Sequence, residues 1–109
     1  MTTGAKRVFD PANEIDLIQV SLIRALASQH RLRMIHLLGE RTREVNELAA
    51  ELGLAQATVS QHLAAMRSVG LVEAARDGRI VRYRLADPDI LAACDLMRRV
   101  QKTAVATAL

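Results

Sequence analysis

Apolar residues recur at three- and four-residue steps along most of this chain, the period of amphipathic helices, and at two-residue steps in one stretch near residue 80. Ile15, Ile18, Leu22, Ile23 and Leu26 predict a first helix. "SQHRLRMIHLLGE", residues 28–40, predicts a second with Leu32, Met34, Ile35 and Leu38 on one side, and Gly39 reads as its stop. A third helix over 44–52 gathers Val45, Leu48, Ala49 and Leu52, and Gly53 suits the left-handed backbone that ends a helix. The fourth covers 56–68 and is closed by Gly70. In "LVEAARDGRIVRYRL" the period drops to two, around the hairpin turn pair Asp77-Gly78. Val81, Tyr83 and Leu85 should face one way, and Ile80, Arg82 and Arg84 the other. A last helix starts near Pro88, with Asp87 as candidate N-cap and a stripe of Ile90, Leu91, Cys94, Met97 and Val100.

This order gives a fold class: mainly α with a small β-hairpin, arranged α-α-α-α-β-β-α. Two short helices joined at Gly53 and followed at once by a basic hairpin read as a helix-turn-helix with a wing. Residues 1–11 are polar and irregular and are expected to form a flexible N-terminal arm. Residues 12–109 are expected to form a single domain, since no repeat, low-complexity tract or linker divides them.

The fourth helix carries the candidate chemistry. At about 100° per residue, Val59, Leu63 and Met66 fall on one face with His62 beside them, which makes a core side. The opposite side collects Ala57, Gln61 and Ala64, flanked by Ser60 and Thr58, with Gln56 near the amino-terminal end. Small side chains permit close approach to a surface, and Gln and Ser can bond base edges or phosphates. A face exposed to water alone more often carries Lys and Glu. On the wing, Arg76 and Arg79 flank the turn, and Arg82 and Arg84 lie along the return strand. Arginine pairs bidentately with phosphate and enters narrow minor grooves. Arg79 is the favoured contact, Arg76 and Arg82 are helpers, and Arg84 is as suited to an acidic neighbour. The bland reading, edge-strand charges that discourage aggregation, applies to all four.

Composition narrows the partner. Fifteen Lys and Arg against twelve Asp and Glu give a net charge of +3, which suits a polyanion. With no Trp, one Phe and one Tyr, there are few rings for stacking single-stranded bases, so duplex DNA is the expected ligand. One cysteine excludes an internal disulfide framework, and the absence of a long apolar run argues against a signal peptide or a membrane span; a cytoplasmic location is expected. A chain of 109 residues buries a modest share of its surface, so a partner subunit is also expected.

With "RALASQHRLRMIHLL", "VNELAAELGLAQATVSQHLAAMRSVGLVEAARDGRIVRYRL" and "ADPDILAA", the chain resembles the ArsR/SmtB family of bacterial winged-helix repressors from about Leu22 to Cys94. The resemblance implies a homodimer whose first and last helices pack together, giving Ile15, Ile18, Leu22, Ile90, Cys94 and Met97 an interface. It also implies an operator-binding repressor released by a signal. The metal-sensing motifs of the family are missing. Where relatives often carry two cysteines before the turn, this chain reads "REVNELAA". In the last helix Asp87 and Asp89 stand early, but Arg98 and Gln101 lie where later ligands are expected, and a guanidinium does not bind metal. His30, His36 and His62 are too scattered for a new site, so no metal and no cofactor are expected. Ala55 replaces the serine that usually caps the reading helix, and Gln29 a common proline.

The expectation is therefore a non-enzymatic, sequence-specific regulator, most simply an autoregulatory repressor that binds a palindromic duplex operator as a homodimer. Ala57, Ser60 and Gln61 would touch base edges, while Gln56, Thr58 and His62 hold phosphates or the helix in register. Two alternatives stand beside it: a winged-helix interaction module that binds no DNA, and a repressor triggered by an unknown small molecule or by oxidation of Cys94. Catalysis would need a nucleophile with a base, or paired carboxylates, and no such set is present.

Overall fold

The computed structural model describes residues 8–108. Residues 1–7 of the expected arm lie outside the described residues; residues 8–13 run exposed through a turn into the first helix. The order is α1 (Glu14–Leu26), α2 (Gln29–Glu40), α3 (Val45–Leu52), α4 (Gln56–Ser68), β1 (Val72–Asp77), β2 (Ile80–Leu85) and α5 (Asp89–Ala108).

Local chemistry sets the boundaries. Asn13 caps α1 by accepting from the Ile15 N–H at 2.8 Å, and Glu14 and Asp16 sit favourably against the positive end of the helix dipole. Ser28 caps α2. Glu44 and Glu47 form a reciprocal capping box at α3, and Gly53, at φ 67°, ends that helix in the left-handed region. This tight exit lets α4 start only three residues later. Ala55 occupies the N-cap position of α4 and supplies no side-chain bond.

The core is built from the predicted faces: Met34, Ile35 and Leu38 of α2, Leu48, Ala49 and Leu52 of α3, Val59, Leu63 and Met66 of α4, then Leu71 and Val72. Leu32 does not join them and is 39% exposed. Six residues before Leu38, it lies about 120° around the helix from it, beyond the reach of the buried stripe. Gly39 does not stop α2, which continues through Glu40. Its role is close approach: a Cβ at this position would stand 2.5 Å from Leu91 Cδ2 of α5. Arg43, unremarked in the sequence, is a buried charge. Its backbone pairs with Tyr83 in both directions (3.0 and 2.8 Å), and its guanidinium bonds Glu40 and Glu51. That residue ties α2 and α3 to the wing.

The two strands pair antiparallel from Val72↔Leu85 to Asp77↔Ile80. The two-residue loop is therefore Gly78-Arg79, one residue later than the turn pair expected from sequence. Gly78, at φ 62°, stands first, and among the described residues only glycines take positive φ, which matches hairpin turns that place glycine at the first central position. The alternation expected for β2 is observed, with Val81, Tyr83 and Leu85 half-buried and Ile80, Arg82 and Arg84 exposed.

α5 has 20 residues and none of them is buried. The radius of gyration is 16.5 Å, against about 13 Å for a compact chain of this length. Much of α5 extends along the outside of the body.

Candidate nucleic-acid interface

α4 is held by its buried stripe, so its other side is presented outward. Gln56, Ala57, Ser60, Gln61 and Ala64 are exposed, and Thr58 is half-buried. His62 faces the body: its Nδ1 accepts from Arg31 Nε of α2 at 3.0 Å, and its ring lies 5.9 Å from that of His30. Burial, followed by the charge of Arg31 and then the presence of His30, holds the His62 pKa below the usual imidazole range. A neutral His62 thus braces α4 against α2, and of its two ring nitrogens Nδ1 is already occupied.

The strand register divides the wing arginines. Arg76 stands opposite Val81, on the sheet face that carries Ala74 and Tyr83, while Arg82 shares the other face with Glu73 and Arg84. Arg79 is in the loop. Arg84 Nε donates to Glu73 Oε2 at 3.1 Å across the strands, the acidic pairing anticipated for it. Arg67, Arg76, Arg79 and Arg82 pair with no carboxylate among the described residues. Of the body arginines, Arg31 bonds His62 and the Ala25 carbonyl, Arg33 the Glu51 carbonyl, Arg41 Glu47 and Arg43 two glutamates, whereas Arg24 of α1 and Arg98 and Arg99 of α5 also pair with no carboxylate among the described residues.

Arg67 and Tyr83 escaped the sequence reading as site residues. Together with Ser60, Ala64 and Ser68 they line an open cleft of about 440 Å³ between α4 and the wing. The signal was present: Arg67 is the only formally charged residue on α4 and lies seven residues after Ser60, about 20° round the helix from it.

Both α1 and α5 expose apolar side chains: Ile15 (74% exposed) and Ile18 of α1 and Met97 (60%) of α5 are largely uncovered, and Leu17, Ile23, Leu96, Val100 and Val105 are likewise exposed. Leu22, Ile90 and Cys94, expected at the same interface, are half-buried and pack partly on the protomer's own core. Burial pushes the Cys94 thiol up, and Asp95 adds to this, the opposite of what activates a thiolate. His36 Nδ1 lies 3.9 Å from Asp95 Oδ1 across α2 and α5. Among the described residues no group of three or more His, Cys, Asp or Glu could hold a metal ion, and no helix is long and apolar enough to cross a membrane.

Known proteins share this arrangement. Residues 28–74 match the family described as bacterial regulatory protein, arsR family. The chain is 37% identical over 84 residues to the HTH-type transcriptional regulator Rv0081 of Mycobacterium tuberculosis, covering 76% of this chain and 74% of that one. The crystal structure of Rv0081 superposes with a TM-score of 0.80 at 32% identity, over 89% of this chain and 98% of that chain. The transcriptional activator HlyU of Vibrio cholerae is 35% identical over 81 residues, 74% of this chain and 75% of that protein. A homodimeric winged helix-turn-helix DNA-binding domain from Mycobacterium bovis matches with a TM-score of 0.79 at 30% identity, over 95% and 94% of the two chains. The chain belongs to the arsR family of bacterial regulatory proteins and has its winged helix-turn-helix fold.

Proposed function

We propose that this protein is a cytoplasmic, homodimeric transcriptional repressor that binds a palindromic duplex operator without the family's usual metal sites. The observation that carries the reading is a cluster of arginines around α4 and the wing: Arg67, Arg76, Arg79 and Arg82 have no carboxylate partner among the described residues and are left for an external anion. Beside them lies a reading surface of small and amide side chains, Ala57, Gln61 and Ala64, with Gln56, Thr58 and Ser60 at its margins. Residues 12–109 act as one unit.

Dimerisation through α1 and α5 covers Ile15, Ile18 and Met97, whose exposure would otherwise be costly. Two reading helices then enter successive major grooves about 34 Å apart. The HlyU name refers to activation and the family resemblance to repression; the same binding event gives either, according to where the operator lies.

The test is duplex selection from a random pool followed by titration. Arg79→Ala should weaken binding to all duplexes and lower the salt slope by about one, whereas Gln61→Ala should change preference at one base position. Wild-type protein with no salt-dependent affinity for any duplex would identify the alternative, an interaction module on the same frame.

A further inference from the structure

The cleft between α4 and the wing has the geometry of a backbone seat rather than a reading surface. Ser60, Ala64, Arg67 and Ser68 line it from the helix and Tyr83 from the sheet, in an open volume of about 440 Å³. Seven-residue spacing puts Ser60 and Arg67 on the flank of α4 that turns toward the wing, while Ala57 and Gln61 stand farther round, on the crest of the helix. Arg67 is exposed and pairs with no carboxylate among the described residues. Arg76 emerges on the same sheet face as Tyr83, farther toward the wing tip. A cation lining the cleft, the hydroxyls of Ser60 and Tyr83 and a second cation along the wing fit a chain of phosphodiesters, while the Ser68 hydroxyl is already given to the Ala65 carbonyl. Arginine and serine can bond base edges as well as phosphates, but Ser60 and Arg67 stand on the flank of α4 beside the wing and not on its crest, which favours the backbone over the bases.

We propose that one strand of the duplex lays its sugar-phosphate backbone in this cleft, with Arg67 as the phosphate ligand and Ser60 lining its seat. This rests on the DNA-binding reading and deepens it. Ser60 moves from base reading to backbone positioning, and direct readout narrows to Ala57, Gln61 and their neighbours on the crest. The wing and the helix become two walls of one clamp, so the strand that Arg67 holds fixes how deeply α4 sits in the groove.

The experiment measures affinity for the selected duplex by anisotropy across a salt series for wild type, Arg67→Ala, Arg67→Lys and Ser60→Ala. It is repeated on duplexes in which single phosphates are replaced by neutral methylphosphonates. Arg67→Ala should bind about tenfold more weakly at low salt on every sequence, with the salt slope reduced by about one and the base preferences unchanged. Arg67→Lys should recover most of the slope. At one phosphate position, the methylphosphonate should weaken wild type but leave Arg67→Ala unaffected, an effect that a merely structural role would not produce. Ser60→Ala should lower affinity without altering base preference. The inference is overturned if Arg67→Ala binds like wild type, if its loss is additive with every phosphate replacement, or if Ser60→Ala changes the preferred base. Absence of duplex binding by wild type would instead overturn the functional reading itself. Arg67 is exposed and alanine favours helix, so thermal melting of the variants should match wild type closely.

Discussion

Arg31 Nε donates a 3.0 Å hydrogen bond to His62 Nδ1, joining the first turn of α2 to the middle of α4. The bond requires a neutral imidazole with its proton on Nε2, because a protonated Nδ1 would direct an N–H at a guanidinium. His30, whose buried Nδ1 has no partner, packs its ring beside the pair, and burial adds to the cost of charge. The His62 pKa in the folded protein is therefore below the ordinary value of about 6.5. On acidification the unfolded chain takes its proton first. The stability held by this group is present above about pH 6.5 and is lost as pH falls from there through the lowered folded value. Urea unfolding at about pH 7.5 and 5.5 should show wild type losing more stability than His62→Gln, since His30 and His36 are common to both. Equal losses would remove His62 from the account.

Arg43 is 3% exposed, and its guanidinium lies between Glu40 and Glu51 while its backbone pairs with Tyr83. Both glutamates reach solvent, so removing the arginine leaves them hydrated rather than stranded. What is lost is the bonding and the volume of a long buried side chain. Arg43→Ala should cost about 2 kcal/mol, and Arg43→Met, which keeps most of the volume, less than about 1 kcal/mol. Denaturant midpoints of the two variants check this; equal losses would assign the stabilisation to the ion pairs instead of the packing.

The helices are legible because their apolar faces obey one period and Gly53 marks the end of α3; the caps at Asn13, Ser28 and Glu44 come to light only in the structure. Relationships between elements are less so. Nothing in "HLLGE" distinguishes a glycine that stops a helix from one that admits a leucine 52 residues later, because the distinction lies in where α5 packs. Leu32 follows the three-residue steps to Ile35 and Leu38, but those steps drift round the helix and carry it off the buried stripe. The exposed face of α4 was read residue by residue, but Arg67 gains meaning only when Tyr83 stands across from it, and the strand register that puts it there is a tertiary property. For Arg84 the local pattern sufficed, because Glu73 is its directly opposed cross-strand neighbour.

Gly39 and Leu91 set the approach of α5 to α2. An added Cβ at Gly39 would meet Leu91 Cδ2 at 2.5 Å and Cγ at 3.3 Å. Alanine is the better helix former, so propensity alone predicts that Gly39→Ala stabilises by up to about 1 kcal/mol. The atoms met are the far end of a half-buried leucine side chain, so the collision should cancel that gain and leave Gly39→Ala within about 1 kcal/mol of wild type instead of stabilised. Combining Gly39→Ala with Leu91→Ala should cost less than the sum of the two single changes, with a coupling of about 1 kcal/mol. Additive costs in equilibrium unfolding at fixed protein concentration would show that the two residues do not constrain each other.

Ala55 holds the N-cap position of α4 with extended backbone, φ −67° and ψ 146°, the geometry from which a serine hydroxyl reaches the second or third N–H of a helix. No side chain now satisfies those amides, and none of the polar residues that follow can do so from inside the helix. Ala55→Ser should therefore stabilise the fold by about 1 kcal/mol, and Ala55→Gly by a few tenths less, because both are better N-caps than alanine. The order Ser, Gly, Ala is diagnostic: an effect of side-chain polarity on the surface would not raise glycine above alanine. Thermal midpoints at one protein concentration measure it, and an Ala55→Gly variant less stable than wild type would mean that the start of α4 is held by packing rather than by its cap.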